Sequence, residues 1–424
     1  MIFSWLSGHN PLLLIVSLFL VWGSPSSAAF SMLRNTNLAV YWGQDSYGAN
    51  NPSDTTNWQQ PISYYCNDDA IDTFPVAFLD QFFTTGGLPS INLANSCTNP
   101  PFSGTSMPNC TFLGPDIEAC QAAGKIVTIS LGGATGSAGF SNDSQAQAFA
   151  QTIWDLFLEG SSPDRPFGSA VLDGVDLDIE GGSQTGYEAF VTALRALMAK
   201  GNKQYYITAA PQCPYPDAYI GTTLNAVGFD AVYVQFYNNY CGLNNYNNVN
   251  AWDFGTWDNW AKTVSPNPNI KVYIGAPASP SAAGSGYINA STFATIIQQT
   301  QSQYSSFGGV MLWDASQAYA NSRYDRAVKS ALTAGGTVVA TSAGTSTAAT
   351  TTTSTATTVA TTAASATATA TGTSCSGVSA WSSAIAYVGG DQVTYNGQLW
   401  TAKWWTYDDV PGDSAAVWTE TASC

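Results

Sequence analysis

Apolar positions along this chain follow two rhythms. Short runs rich in Val, Ile, Leu and aromatics occur at 38–41, 72–79, 126–131, 171–180, 204–209, 231–237, 270–274 and 309–313. Their length and β-branched content predict strands. Longer amphipathic stretches lie between them. The clearest is 144–158, where Ala146, Phe149, Ala150, Ile153, Trp154 and Phe157 repeat at i, i+3, i+4, i+7, the stripe of a half-buried helix. Eight strands alternating with helices over about 300 residues predict an α/β fold, a (β/α)8 TIM barrel. An open doubly wound sheet is the alternative, and the Gly-rich phosphate loop that would support it is missing.

Three segments do not share this rhythm. Residues 1–29 hold no Lys, Arg, Asp or Glu; an apolar run from Leu12 to Trp22 precedes the small residues Ser26, Ser27, Ala28 and Ala29. This predicts a signal peptide over 1–29; the run is short for a membrane span, the other reading of such a segment. From Ala340 to Thr371 every residue except Gly344 and Val359 is Thr, Ser or Ala. Such a stretch buries too little apolar surface to offset its ordering entropy, so 336–374 reads as a disordered, hydroxyl-rich linker. It divides a body, 30–335, from a small C-terminal module, 375–424.

Composition narrows the chemistry. The chain has 12 Lys+Arg against 28 Asp+Glu, a formal charge of −16, and only 9% charged residues. Few cations are present to neutralise phosphates or anionic lipid, so neither nucleic acid nor a membrane is expected as a partner. The single histidine, His9, lies in the leader. Catalysis through a Ser-His-Asp triad or His-ligated zinc is thereby excluded from the body, which leaves carboxylates, Tyr, Lys or Cys. Eight cysteines without a C-x-x-C spacing suit structural disulfides in an oxidising compartment. Asn109, Asn142 and Asn289 begin N-x-S/T sequons, expected glycosylation sites on a secreted, extracellular chain. Association with a cell wall is compatible with the same address, and a monomer is the expected state.

The segment that carries chemistry is Asp173-Gly174-Val175-Asp176-Leu177-Asp178-Ile179-Glu180. Strand side chains alternate, so Asp176, Asp178 and Glu180 share one face, successive members about 6.6 Å apart. Val175, Leu177 and Ile179 take the other face, where a barrel strand packs on its helices. The acids then point into the lumen, where charge is normally absent, and should titrate as a coupled set. Glu180 reaches the C-terminal mouth, where barrel active sites lie. A solvated acidic face is disfavoured by the interleaved aliphatics; a Ca²⁺ or Mg²⁺ site is the remaining rival. No metal and no cofactor is expected.

Asp-x-x-Asp-x-Asp-x-Glu at Asp173, Asp176, Asp178 and Glu180 resembles the signature of glycoside hydrolase family 18. The body resembles the plant-type, class III chitinases of that family, including fungal ones. The likeness runs in order through Leu38-Ala39-Val40-Tyr41-Trp42-Gly43-Gln44, Ser130-Leu131-Gly132-Gly133, Thr208-Ala209-Ala210-Pro211-Gln212-Cys213, Val234-Gln235-Phe236-Tyr237-Asn238-Asn239 and Gly308-Gly309-Val310-Met311-Leu312-Trp313. Ala134 and Asp314 depart from it.

The resemblance implies a secreted endochitinase that cleaves β-1,4 bonds between N-acetylglucosamine units of chitin or chito-oligosaccharides. It implies retention of configuration assisted by the substrate's own 2-acetamido group. Glu180 would be the proton donor and then the base for water. Asp178 would orient the acetamido N–H, and Asp176 would share a proton with Asp178. Tyr237 would donate to the acetamido carbonyl beside Gln235, and Trp313 would floor the −1 subsite. Tyr41, Gln44, Asn92 and Gly133 would line the cleft, and Asp173, out of phase, would be structural. The implied disulfides are Cys66–Cys120, Cys97–Cys110 and Cys213–Cys241.

The module carries five Trp within fifty residues, and a Cys375–Cys424 staple suits so small an all-β unit. Its segment from Ala402 to Thr406 resembles carbohydrate-binding module family 5/12, which implies a chitin-binding face at Trp404, Trp405 and Tyr407. Rival readings are a lectin-like wall protein without catalysis, a lysozyme-like or endo-N-acetylglucosaminidase activity, and a metal-dependent hydrolase.

Overall fold

The computed structural model describes residues 30–134, 136–335 and, in the C-terminal region, 375, 378–383, 386–387, 392–402, 406–407, 410–412 and 418–424. The leader over 1–29, the linker over 336–374, and Trp404 and Trp405 lie outside the described residues; of Tyr407 only the backbone is described.

The body runs through strands β1 (Asn37–Val40), β2 (Thr73–Gln81), β3 (Ser90–Ile91), β4 (Ile126–Gly132), β5 (Gly174–Asp178), β6 (Tyr206–Ala209), β7 (Ala231–Gln235), β8 (Lys271–Pro277) and β9 (Phe307–Trp313). Its helices are α1 (Ser46–Asn50), α2 (Ile62–Cys66), α3 (Gly114–Ala122), α4 (Asp143–Phe157), α5 (Tyr187–Met198), α6 (Gly221–Ala226), α7 (Phe254–Thr263), α8 (Ala290–Gln303), α9 (Ala315–Ala320) and α10 (Tyr324–Gly335). Every strand but β3 pairs in parallel, in the order β1-β9-β8-β7-β6-β5-β4-β2, and β1 pairs with β2 to close the ring. This is an eight-stranded (β/α)8 barrel. The antiparallel β3 is an extra hairpin arm on β2.

Alternation along the strands produces two cores. Val175 and Leu177 of β5, Val127 and Ile129 of β4, and Val232 and Val234 of β7 point outward into the large cluster shared with the helices. Ala39, Tyr41, Ala77, Tyr233, Tyr273 and Met311 point inward into a separate lumen cluster. Residues 30–32 close the N-terminal end of the lumen: Met32 Sδ accepts from Tyr273 Oη at 3.4 Å, and Phe30 packs edge-on against Tyr206. Helix α4 begins one residue before the stripe predicts, because Asn142 caps it by accepting from the Gln145 N–H.

β5 is shorter than the apolar run suggests. Gly174 opens it at φ +153°, where a Cβ would lie 1.9 Å from the Tyr206 carbonyl oxygen, so the strand can start only at a glycine. Asp173 just before it is structural: it pairs with Lys203 at 2.7 Å and accepts from the Val127 N–H at 2.8 Å. At the other end β4 turns away at Gly133, whose N–H still takes the Asp178 carbonyl at 2.8 Å. Glu180 therefore sits two residues beyond the last paired position.

Disulfides join Cys66–Cys120, Cys97–Cys110 and Cys213–Cys241 in the body and Cys375–Cys424 in the module. In the module β11 (Gln392–Tyr395), β12 (Gln398–Ala402) and β14 (Trp418–Ser423) form an antiparallel sheet, and β10 (Ala386–Tyr387) pairs with β13 (Thr406–Tyr407). Tyr387, Val393, Ala402 and Trp418 make its core. Asn142 and Asn289 are exposed N-caps of α4 and α8; Asn109 is half-buried and accepts from the Thr111 N–H and hydroxyl. In each sequon the amide oxygen is the group that holds the backbone.

Candidate active site

At the C-terminal end of the barrel strands lies a cleft of about 300 Å³. Its lining includes Tyr41, Gln44, Asn92, Gly133, Asp178, Glu180, Gln235, Tyr237 and Trp313. Residues read from six separate strand ends thus meet in one place. Asp176 lies beneath, fully buried.

The three acids differ in what surrounds them. Asp176 accepts from Tyr41 Oη at 2.7 Å, Ser130 Oγ at 2.6 Å and Thr208 Oγ1 at 2.7 Å. Burial pushes its pKa up, and the three hydroxyls pull it back. Asp178 accepts from Gln235 Nε2 at 2.9 Å. Burial first, then the charges of Glu180 and Asp176, drive Asp178 well above the ordinary carboxylate range. Glu180, half-buried, is raised by burial while bonds from Gln235 and Asp178 moderate it. Asp178 and Glu180 are thus two neighbouring carboxyls, each raised by burial and both in reach of the Gln235 amide. Asp176, expected to share a proton with Asp178, adds its charge to the shift of Asp178 and is itself held by three hydroxyl donors.

The Gln235 amide spans this pair. Its Nε2 donates to Asp178 Oδ1, to Ala210 O at 3.0 Å and, at 3.4 Å, to Glu180 Oε1. Burial raises Tyr41 and Tyr237, so both phenols stay protonated and able to donate. The Trp313 ring stacks on Phe78 with centroids 5.7 Å apart at 17° and leans on Tyr41. Gln44 Nε2 donates to the carbonyls of Ala77 and Asn92 at 3.0 and 2.8 Å, tying the segment after β1 to β2 and to the end of β3. Gly133, at φ +83°, admits no side chain, since a Cβ would meet the Phe78 ring at 2.8 Å. Asp314, one of the sequence departures, faces away as the N-cap of α9 and accepts from the N–H groups of Gln317 and Ser46.

Sequence reasoning missed Phe78, Asp80, Asn238 and Ala282 in the lining. Phe78 and Asp80 lie in the predicted strand 72–79 or one step past it, but period-2 alternation from the outward Val76 would have put both on the outer face; the register shift between Ala77 and Leu79 turns Phe78 into the lumen beside Ala77.

The sequence model of glycosyl hydrolases family 18 matches residues 37–412. The chain belongs to glycosyl hydrolase family 18. Within family 18 it is similar to Chitinase 2 of Rhizopus oligosporus, 49% identical over 301 residues that make up 71% of this chain and 53% of that protein. It is 43% identical to the Class III chitinase of Arthroderma benhamiae over 72% of this chain and 88% of that one. The chain spans about half the length of several of the fungal chitinases it matches. Among solved structures, a chitinase from Ipomoea carnea superposes with a TM-score of 0.59 at 33% identity, covering 70% of this chain and 99% of that one.

Proposed function

We propose that this family 18 protein is a secreted chitinase that hydrolyses β-1,4 bonds between N-acetylglucosamine units with retention. The observation that carries this reading is the Asp178–Glu180 pair, two carboxyls raised by burial under a single amide, in a cleft whose described lining contains no Lys or Arg. Such a pair keeps an acid protonated at mildly acidic pH, as protonation of a glycosidic oxygen requires.

Glu180, the outermost acid, protonates the leaving oxygen and later takes a proton from water. Asp178 accepts the acetamido N–H, which turns the acetamido oxygen toward the anomeric carbon; bond formation there expels the leaving group and yields an oxazolinium ion. Tyr237, kept neutral by burial, donates to the acetamido group. Asp176 lies below the cation, where the three hydroxyls that anchor it favour its ionised form against burial. Trp313 offers a flat apolar plate for the sugar at the cleavage point. A lectin-like protein would need none of this coupled proton chemistry.

Chitohexaose followed by time-resolved proton NMR tests the proposal. Products should appear first as the β anomer; α anomer first, or no cleavage, would defeat it.

The domain scheme extends the reading: a leader over 1–29, a catalytic barrel over 30–335, a linker over 336–374 and a chitin-binding module over 375–424. Tethering through Trp404, Trp405 and Tyr407 would raise the local concentration of enzyme on an insoluble polymer. Deleting 336–424 should lower the rate on crystalline chitin severalfold and spare soluble oligomers. Equal loss on both would remove the tethering role.

A further inference from the structure

Asp217 lies outside every motif considered so far, in the turn after β6, and is 4% exposed. Its carboxylate accepts three backbone N–H groups: Gln212 at 2.9 Å, Tyr219 at 2.8 Å and Ile220 at 2.7 Å. Among the described residues it has no ion-pair partner. The segment it holds is the one that frames Gln235. The Gln235 N–H donates to Pro211 O at 2.8 Å, the Gln235 carbonyl accepts from the Cys213 N–H, and Gln235 Nε2 donates to Ala210 O. Residues 210–213 therefore fix both the backbone and the amide of the side chain that bridges Asp178 and Glu180.

We propose that Asp217 is a positioning residue for the acid pair, clamping the 210–213 turn so that the Gln235 amide faces Asp178 and Glu180 and placing behind them a further carboxyl whose three N–H donors favour its ionised form against burial. The proposal rests on the assignment of Glu180 as the proton donor. The charge adds to the cost of ionising either acid. The other titratable groups facing Glu180 are Asp178 and Asp176 from β5, Tyr41 from β1, Asp80 from β2 and Tyr237 from β7, all acids or phenols. With no cation among them, a buried carboxylate behind β6 is felt with little compensation. Removing its charge must lower the pKa of Glu180 and so move the basic limb of activity to lower pH.

The test uses the full-length protein and the pH dependence of kcat/KM on chitohexaose for wild type, Glu180→Gln, Asp217→Asn and Asp217→Glu. Asp217→Asn, which keeps an acceptor for two of the three N–H groups, should shift the basic limb down by roughly half a unit to one unit. Asp217→Glu keeps the charge but displaces it. Its limb should stay in place while kcat falls, to about a tenth or less as the Gln235 amide is misaligned. If the amide variant does not accumulate, Asp217→Ser, which retains one acceptor, gives the same readout. A profile for Asp217→Asn that overlays wild type, with only thermal stability reduced, would overturn the proposal and leave Glu180 untouched. Full activity in Glu180→Gln would instead bring down the functional reading itself.

Discussion

The two ends of the barrel use the same residue type in opposite ways. At the N-terminal end, Asp72, Asp173, Asp230 and Asp258 each accept a backbone N–H at or beside the start of a neighbouring strand: Leu38, Val127, Ile207 and Ser306 respectively. Each also pairs with a cation, Lys329, Lys203, Arg195 and Lys262 in the same order. At the C-terminal end, Asp176, Asp178 and Glu180 have hydroxyls, an amide and one another as neighbours, and no cation. Among the described residues six of the chain's twelve Lys and Arg are in ion pairs, none of them at the mouth. A carboxylate given a cation and an N–H pins a strand. A carboxylate denied a cation and taken out of water keeps its proton, and that proton can be delivered to a substrate.

Substitutions at the two ends should therefore fail differently. Glu180→Gln should cut kcat on chitohexaose by about 10³ or more with an unchanged melting temperature, because a general acid is lost and no packing is. Asp178→Asn should cost about 10² by freeing the acetamido group, again without loss of stability. At the other end, Asp173→Ala should leave kcat near wild type while lowering stability by roughly 1–3 kcal/mol, since Lys203 and the Val127 N–H lose their acceptor. If Asp173→Ala abolished turnover in folded protein, the division of labour between the ends would be wrong.

The acid limb of stability sharpens the contrast. Burial alone would raise the Asp68 carboxyl, but hydrogen bonds and charge from Arg323 and Arg326 outweigh it and hold Asp68 at about 2. A depressed folded-state pKa contributes stability that is complete above the unfolded value and is lost as pH falls from about 4 toward 2. Asp68→Asn should remove roughly 2 kcal/mol at neutral pH and flatten the stability loss over that window. Equilibrium unfolding at pH 7 and pH 2.5 checks both halves, and parallel pH curves for variant and wild type would contradict the ion-pair account.

Much of this was readable in advance, and the rest was not for identifiable reasons. All eight barrel strands announce themselves because each is an apolar run bounded by polar turns, and the acids on β5 alternate with aliphatics in the way only a two-faced strand requires. β3 escapes because two residues, Ser90 and Ile91, carry no period. The length of β5 is overshot because hydrophobicity continues through Ile179 while hydrogen bonding stops where β4 turns at Gly132 and Gly133. The surroundings of the acids are not legible either: spacing treats Asp176 and Glu180 as equivalent neighbours of Asp178, and only the hydroxyls of Tyr41, Ser130 and Thr208, brought in from elsewhere in the barrel, set Asp176 apart. Asp217 sits in a turn between Pro216 and Ala218, where a lone acid has no pattern to stand out from.

The central claim is that Asp178 and Glu180 at the mouth hold a proton above the pH at which ordinary carboxyls release theirs. Carboxyl ¹³C NMR titration of the labelled full-length protein, wild type against Glu180→Gln, tests it most directly. The account predicts coupled carboxyls in wild type that titrate above the usual carboxylate range, with the step reduced in Glu180→Gln, while the ion-paired Asp68 titrates near 2 in both. A wild-type protein whose every Asp and Glu titrates at or below ordinary values would contradict it.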